Sequence, residues 1–131
     1  MPPRTALVLD DNRVLRNLLT EFLEEKGYQV VSYPDPCLFL DAYGGKVEAA
    51  DIDCFELILT DNMMPCMNGL DFLDKIKCIG CQIPDRHKAV ISGNWSNEDL
   101  ERARQAGYRI FHKPCHIDDI HGWIDEIRKS A

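Results

Sequence analysis

The chain has 131 residues, 45% of them apolar and 28% charged, and a formal net charge of −7. This is ordinary soluble-domain composition, and the length supports one domain burying roughly 70% of its unfolded surface. No apolar run approaches the roughly 20 residues that span a bilayer, Met1-Pro2-Pro3-Arg4 leads into no leader-like stretch, and the negative charge opposes unaided nucleic-acid binding, so a cytoplasmic protein without membrane or direct nucleic-acid contacts is expected.

Thr5-Ala6-Leu7-Val8-Leu9 is a continuous apolar run stopped by Asp10-Asp11-Asn12, the pattern of a strand buried on both faces. Val14, Leu15, Leu18, Leu19, Phe22 and Leu23 follow at helical spacing, and Gly27 ends that helix. A second strand runs from Gln29 to Tyr33, and a short helix from Cys37 to Tyr43 closes at Gly44-Gly45. Residues 46–53 are polar and alanine-containing, an extension of that helix or a loop. The third strand, Phe55 to Thr60, ends at Asp61. A loop with Pro65 leads to Gly69, which opens a helix carrying Leu70, Leu73 and Ile76. Lys88 to Ile91 is the fourth strand, ending at Ser92-Gly93. Ser96 caps a helix with acids in its first turn and Gly107 at its end. Arg109 to His112 is the fifth strand, stopped by Lys113-Pro114. Ile117, Ile120, Trp123, Ile124 and Ile127 mark a last helix, after which only Lys129-Ser130-Ala131 remain. Such alternation predicts an α/β fold: a parallel sheet with helices on both faces.

Charge and cysteine are unevenly used. Residues 1–74 carry −9 and residues 75–131 carry +2, an acidic pole and a nearly neutral half. Six cysteines, Cys37, Cys54, Cys66, Cys78, Cys81 and Cys115, read as reduced thiols in a chain without a leader. Cys78-Ile79-Gly80-Cys81 has metal-ligand spacing, and His112, Cys115, His116 and His121 are the available further donors. Free thiols near a helix end are the preferred reading.

In an open parallel sheet, sites form beyond the carboxyl ends of the strands. The first strand ends there in Asp10-Asp11, the third in Asp61, the fourth in Ser92 and the fifth in Lys113. Taken singly, each is an ordinary turn or cap residue. Together they form a constellation with a chemical logic. Converging carboxylates repel, and a hard divalent cation such as Mg²⁺ relieves them. An ammonium and a hydroxyl complete a set suited to phosphoryl transfer onto a carboxylate. Gly93 leaves room for the ligand to approach.

These residues resemble the receiver domain of two-component response regulators, of the chemotaxis-regulator type, across about residues 5–129. Leu7-Val8-Leu9-Asp10-Asp11-Asn12 resembles the acidic-pair segment. Leu57-Ile58-Leu59-Thr60-Asp61-Asn62-Met63-Met64-Pro65-Cys66-Met67-Asn68-Gly69 resembles the phosphoacceptor segment. Val90-Ile91-Ser92-Gly93 and His112-Lys113-Pro114 resemble the hydroxyl and lysine segments. The resemblance implies one receiver domain over residues 1–131, with a flavodoxin-like five-stranded sheet in the order 2-1-3-4-5. It implies that Asp61 accepts a phosphoryl group from a sensor histidine kinase, a histidine phosphotransfer protein or a small donor. Asp11, Asp61 and the Met63 carbonyl would hold Mg²⁺, Asp10 would act through a metal-bound water, and Ser92 and Lys113 would hold phosphoryl oxygens. A downstream protein would read the change, in a monomer or a phosphorylation-dependent dimer. Such a domain turns over no independent substrate.

Three features depart from the family pattern. The position three before the lysine, usually aromatic, is Ile110, with Phe111 one residue later, so switching through either residue is open. The stretch from Tyr43 to Phe55 is longer than usual, which predicts an extended helix or a surface loop. No output domain follows within the chain. Two rivals are a receiver-like docking module that takes no phosphate and a haloacid-dehalogenase-type phosphatase. The latter needs a second aspartate two positions after Asp10, where Asn12 stands.

Overall fold

The computed structural model describes residues 4–129; the tail expected after the last helix falls, beyond Lys129, outside them. Five strands, β1 (Arg4–Leu9), β2 (Tyr28–Tyr33), β3 (Leu57–Asp61), β4 (Lys88–Ser92) and β5 (Arg109–His112), form one parallel sheet in the order β2-β1-β3-β4-β5. Among the described residues six α-helices accompany them: α1 (Arg13–Glu25), α2 (Pro36–Asp41), α3 (Ala49–Asp53), α4 (Gly69–Cys78), α5 (Asn97–Ala106) and α6 (Ile117–Lys129). The doubly covered parallel sheet expected from the alternation is present, in the expected order.

Strand alternation divides the core in two. Ala6, Val8, Leu57, Leu59, Ala89 and Ile91 face α1 and α6, where Leu19, Leu23, Trp123 and Ile127 are buried against them. Leu7, Leu9, Ile58 and Val90 face the opposite way, toward Phe39 of α2, Phe72 of α4 and Ala103 of α5. Each central strand is therefore apolar on both sides, which is why it reads as a continuous run rather than an alternating one. Trp123 sits in the core as its place on the apolar stripe predicts, and its indole N–H donates to the Arg86 carbonyl at 2.9 Å.

The apolar stripe of α1 is wider than its buried face: Leu19 and Leu23 are buried, but Val14 and Leu18 are 79% and 48% exposed, because paired apolar positions cover more arc than the sheet can screen. Two expectations are corrected. Residues 46–53 neither extend α2 nor form a plain loop. A turn through Gly44 and Gly45, both at positive φ, leads to the separate helix α3, whose Ile52 is fully buried. The Asp51 carboxylate accepts from the Glu48 amide at 2.9 Å and closes its first turn. Second, the cysteines are not all thiols. Cys37 of α2 and Cys66 of the β3–α4 loop form a disulfide, with Cα atoms 6.2 Å apart, inside the usual span. Cys54, Cys78, Cys81 and Cys115 form no disulfide.

A buried cation anchors the amino end of β4. The Lys88 side chain is 1% exposed and its Nζ lies 3.1 Å from Asp85 Oδ1, which also takes Lys77 Nζ at 3.2 Å. Burial pushes the Asp85 carboxyl up, but the two ammonium groups outweigh it and hold it below the ordinary 3.8. A carboxyl lowered on folding contributes stability above its unfolded pKa and loses it as pH falls through the folded value. Asp85→Asn is therefore expected to cost about 1–2 kcal/mol near neutral pH, discounted from a buried pair because Asp85 is 39% exposed, with the difference shrinking below about pH 4. Urea denaturation of both proteins across that pH range checks it.

Candidate functional site

Parallel strands deliver their carboxyl ends to one edge, and the sequence places its polar residues there. Asp10 follows β1, and its amide donates to the Tyr33 carbonyl at 3.2 Å. Asp61 is the last residue of β3 and Ser92 the last of β4. Lys113 follows β5, its amide donating to the Ser92 carbonyl at 2.9 Å. The Lys113–Pro114 peptide is cis. Asp10, Asp61 and Ser92 are buried, while Asp11 is exposed.

The side chains converge as expected. Lys113 Nζ donates to Asp61 Oδ2 at 3.1 Å and lies 3.6 Å from Asp10 Oδ2. One oxygen each from Asp10, Asp11 and Asp61 lie within 4.8 Å of one another. Asp10 Oδ1 accepts the Asn12 amide at 2.8 Å, but Asp10 Oδ2 is buried without a hydrogen bond. Burial raises the Asp10 carboxyl above 3.8; the Asn12 amide and Lys113 oppose this, and the neighbouring charges of Asp61 and Asp11 add to it. Burial works against the Lys113 charge, yet its hydrogen bond to Asp61 and the charge of Asp10 raise its pKa above 10.5. The pocket thus holds three acids against one ammonium, with one buried carboxylate oxygen unsatisfied. An oxygen-only cluster with such an orphan fits a hard divalent cation.

Several supports carry no strong signal in the sequence. Arg16 Nη1 donates to the Asp10 carbonyl at 2.7 Å and ties α1 to the end of β1. Asn62, buried, accepts the Leu70 amide on Oδ1 at 3.2 Å and donates from Nδ2 to Asp99 at 3.1 Å, linking the phosphoacceptor-like segment to α4 and α5 at once. The Met63 amide donates to Asp61 Oδ1 at 3.2 Å. Asn12 caps α1, its side chain accepting from the Leu15 amide at 3.1 Å. Gly93 is not sterically required: a Cβ there would make an ordinary 3.6 Å contact with the Lys113 side chain. Gly69 is required, because a Cβ there would collide with the Asp61 carbonyl oxygen and stand 2.9 Å from Thr60 Cγ2.

Ile110 and Phe111 point to opposite faces. Ile110 pairs with Val90 and packs, as Trp95 does, against the core on the α2–α5 side, whereas Phe111 is buried against Trp123, ring centroids 5.9 Å apart. Trp95, in the β4–α5 loop, is half-buried, and its indole N–H donates to the Phe111 carbonyl at 3.0 Å.

An open parallel α/β sheet with an acid cluster, a hydroxyl and an ammonium at its carboxyl edge is the architecture of receiver-type signalling domains. Comparison with known proteins agrees. Residues 6–125 match the response regulator receiver domain family. The chain is 32% identical over 124 residues to the transcriptional regulatory protein PdtaR of Mycobacterium tuberculosis, covering 90% of this chain and 53% of that protein. It is 29% identical over 129 residues to the response regulator receiver protein CpdR of Brucella abortus, covering 96% and 95%. A receiver domain from Clostridium thermocellum superposes with a TM-score of 0.78 at 22% identity, covering 97% of each chain. The chain spans about half the length of the mycobacterial relative. It belongs to the response regulator receiver domain family of two-component signalling. Among the described residues no helix is long and apolar enough to cross a membrane.

Because Gly69 closes on the Asp61 backbone, Gly69→Ala is expected to destabilise by about 1–3 kcal/mol through overpacking. Gly122→Ala, in α6 with nothing within 4 Å of the added Cβ, is expected to stabilise by about 0.5–1 kcal/mol through helix propensity. Denaturant midpoints of the two variants, moving in opposite directions, check the distinction.

Proposed function

We propose that the whole chain is one phosphoacceptor receiver domain in which Asp61 takes a phosphoryl group from a histidine of a sensor kinase or phosphotransfer protein, or from a small acyl phosphate. The observation that carries this is the buried Asp61 carboxylate, 3.1 Å from Lys113 Nζ and clustered with Asp10 and Asp11. Asp61 Oδ attacks phosphorus in line with the departing donor atom. Lys113 turns from Asp61 to an equatorial phosphoryl oxygen, and the Ser92 hydroxyl hydrogen-bonds another. Ser92 Oγ accepts the Asn94 amide at 3.1 Å in this structure, which leaves its proton free to donate.

Asp11, Asp61 and the Met63 carbonyl would hold Mg²⁺, with Asp10 acting through its hydration water; its orphaned Oδ2 supports that role. When bound, the cation supplies neutralisation of the charge accumulating on the phosphoryl oxygens. Self-phosphorylation and autodephosphorylation are the only reactions in this reading, and Met63 and Asn94 flank the water's approach. The phosphorylated domain, cytoplasmic in this reading, presents the α5–β5–α6 face to a downstream protein, as a monomer or a dimer.

The switch in this reading runs through Ser92 and the loop bearing Trp95. Ile110 offers no ring to rotate, and the Phe111 ring is packed in the core beneath α6. Movement of Ser92 toward the phosphoryl group strains the Trp95–Phe111 hydrogen bond, which couples the β4–α5 loop to β5.

Intact-mass spectrometry after incubation with acetyl phosphate is expected to show one Mg²⁺-dependent phosphoryl adduct, absent from Asp61→Asn. An adduct retained by that variant, or none formed by the native chain with any donor, overturns the assignment. In a Trp123→Phe background, Trp95 emission is expected to shift on phosphorylation. An unchanged spectrum with Asp61 fully modified rules out the loop coupling.

A further inference from the structure

We propose that Cys37 and Cys66 form a reversible redox latch on the phosphoacceptor loop, so that oxidation state sets the cation affinity of the site. The inference rests on the phosphoacceptor reading of Asp61 and Met63. It starts from where the bond lies. Residues 62–69 form a loop with a closed neck: the Gly69 amide donates to the Asn62 carbonyl at 3.1 Å, and the Asn62 amide to the Ile91 carbonyl at 3.0 Å. Cys66 stands near the far end of that loop, three residues beyond Met63 and five beyond Asp61. The disulfide fastens this outer end to α2. That anchor is rigid, because Phe39 of α2 packs edge-on against Tyr33, Tyr43 and Phe72, with centroids 5.4–5.9 Å apart. Breaking the bond leaves the neck pinned and Met64 and Met67 packed against the core, but it removes the covalent tie on the arm that carries the Met63 carbonyl.

The bond is also reachable. Cys66 is exposed and Cys37 half-buried, and Cys37 lines an open cavity of ≈330 Å³ between α2, the glycine turn and α4. Asp41 and Lys75 line the same cavity, matching an amino-acid-based thiol that carries both charges, such as glutathione. In a reducing compartment, a disulfide open to small thiols is a transient, sensing bond rather than a permanent one.

The chemistry balances in both directions. In reduction, a glutathione thiolate attacks Cys37 Sγ, the S–S bond breaks, and Cys66 leaves as a thiolate that takes up a proton. A second glutathione thiolate then attacks the glutathione sulfur of the mixed disulfide. Oxidised glutathione departs, and Cys37 leaves as a thiolate that is protonated in turn. In oxidation by hydrogen peroxide, the Cys66 thiolate attacks one peroxide oxygen, giving a sulfenic acid and water. The Cys37 thiolate then attacks that sulfur and releases the second water. The pair loses two electrons and two protons, and the peroxide gains them.

The test uses the full chain in a series of glutathione redox buffers. Alkylation followed by intact-mass spectrometry counts free thiols, and calorimetric titration with Mg²⁺ alone measures cation binding in each form. Two thiols are expected to appear together on reduction and to vanish on peroxide treatment, with Cys37 and Cys66 identified by peptide mapping. The Mg²⁺ dissociation constant is expected to rise about three- to tenfold on reduction, the scale of one lost ordering constraint on a loop ligand. Cys66→Ser is expected to bind Mg²⁺ like the reduced chain in every buffer. If that variant fails to fold, the reduced native chain supplies the same comparison. A pair that stays oxidised in excess glutathione, never forms, or is protected by a removable metal without loss of two hydrogens overturns the latch. Equal Mg²⁺ affinity in both forms, with normal Asp61 phosphorylation, overturns the coupling alone. Absence of both Mg²⁺ binding and phosphorylation overturns the phosphoacceptor reading and the coupling with it.

Discussion

Buried like charges govern this molecule. Asp10 and Asp61 sit without solvent at neighbouring strand ends, and the Lys113 ammonium between them is the counter-charge that the fold itself provides. One ammonium against three carboxylates leaves the pocket under-neutralised, and the Asp10 carboxyl is raised chiefly by its burial, with the charges of Asp61 and Asp11 adding to it. Such a site is held together only by a scaffold that loses more by unfolding than the repulsion returns. The central strands provide it, with apolar residues packed on both faces directly beneath the acids. The same imbalance is what a hard divalent cation would relieve, so the feature that costs stability is also the one suited to ligand.

Around that charge problem the loops are built as ties rather than coverings. Asn62 is the clearest instance: a single buried amide meets the first turn of α4 through Leu70 and the first turn of α5 through Asp99. Across the sheet, Trp95 makes a similar tie, joining the β4–α5 loop to the backbone of β5. Asn62, next to Asp61, and Trp95, three residues beyond Ser92, thus tie the strand ends to α5 and β5 by directional hydrogen bonds.

Much of this is legible in the chain alone. Continuous apolar runs such as Leu7-Val8-Leu9 and Leu57-Ile58-Leu59 announce strands covered on both sides, since only such strands lack polar alternation. The polar residue that stops each run marks the carboxyl edge, so Asp10, Asp61, Ser92 and Lys113 group together from their order in the chain. Local signals also locate the caps: Ser96 accepts the Asp99 amide at 3.0 Å, and Gly107 ends α5 at a φ of 85°. The helix α3 escapes such a reading because five residues carry too little periodicity to show. Its one deep anchor, Ile52, is recognisable only from what surrounds it.

The linear order of residues by itself determined the α/β class, the edge on which the chemistry stands and the residue types available to it. Those depend on backbone periodicity and on where apolar runs end, both local properties. Tertiary structure alone decided which groups meet. The 52-residue separation of Asp61 and Lys113, the 37-residue separation of Asn62 and Asp99, and the 29-residue separation of Cys37 and Cys66 are closed by strand order and helix docking. No short window of sequence encodes such contacts. They exist because burying both faces of the sheet brings distant segments within bonding distance, and that burial is a property of the whole chain.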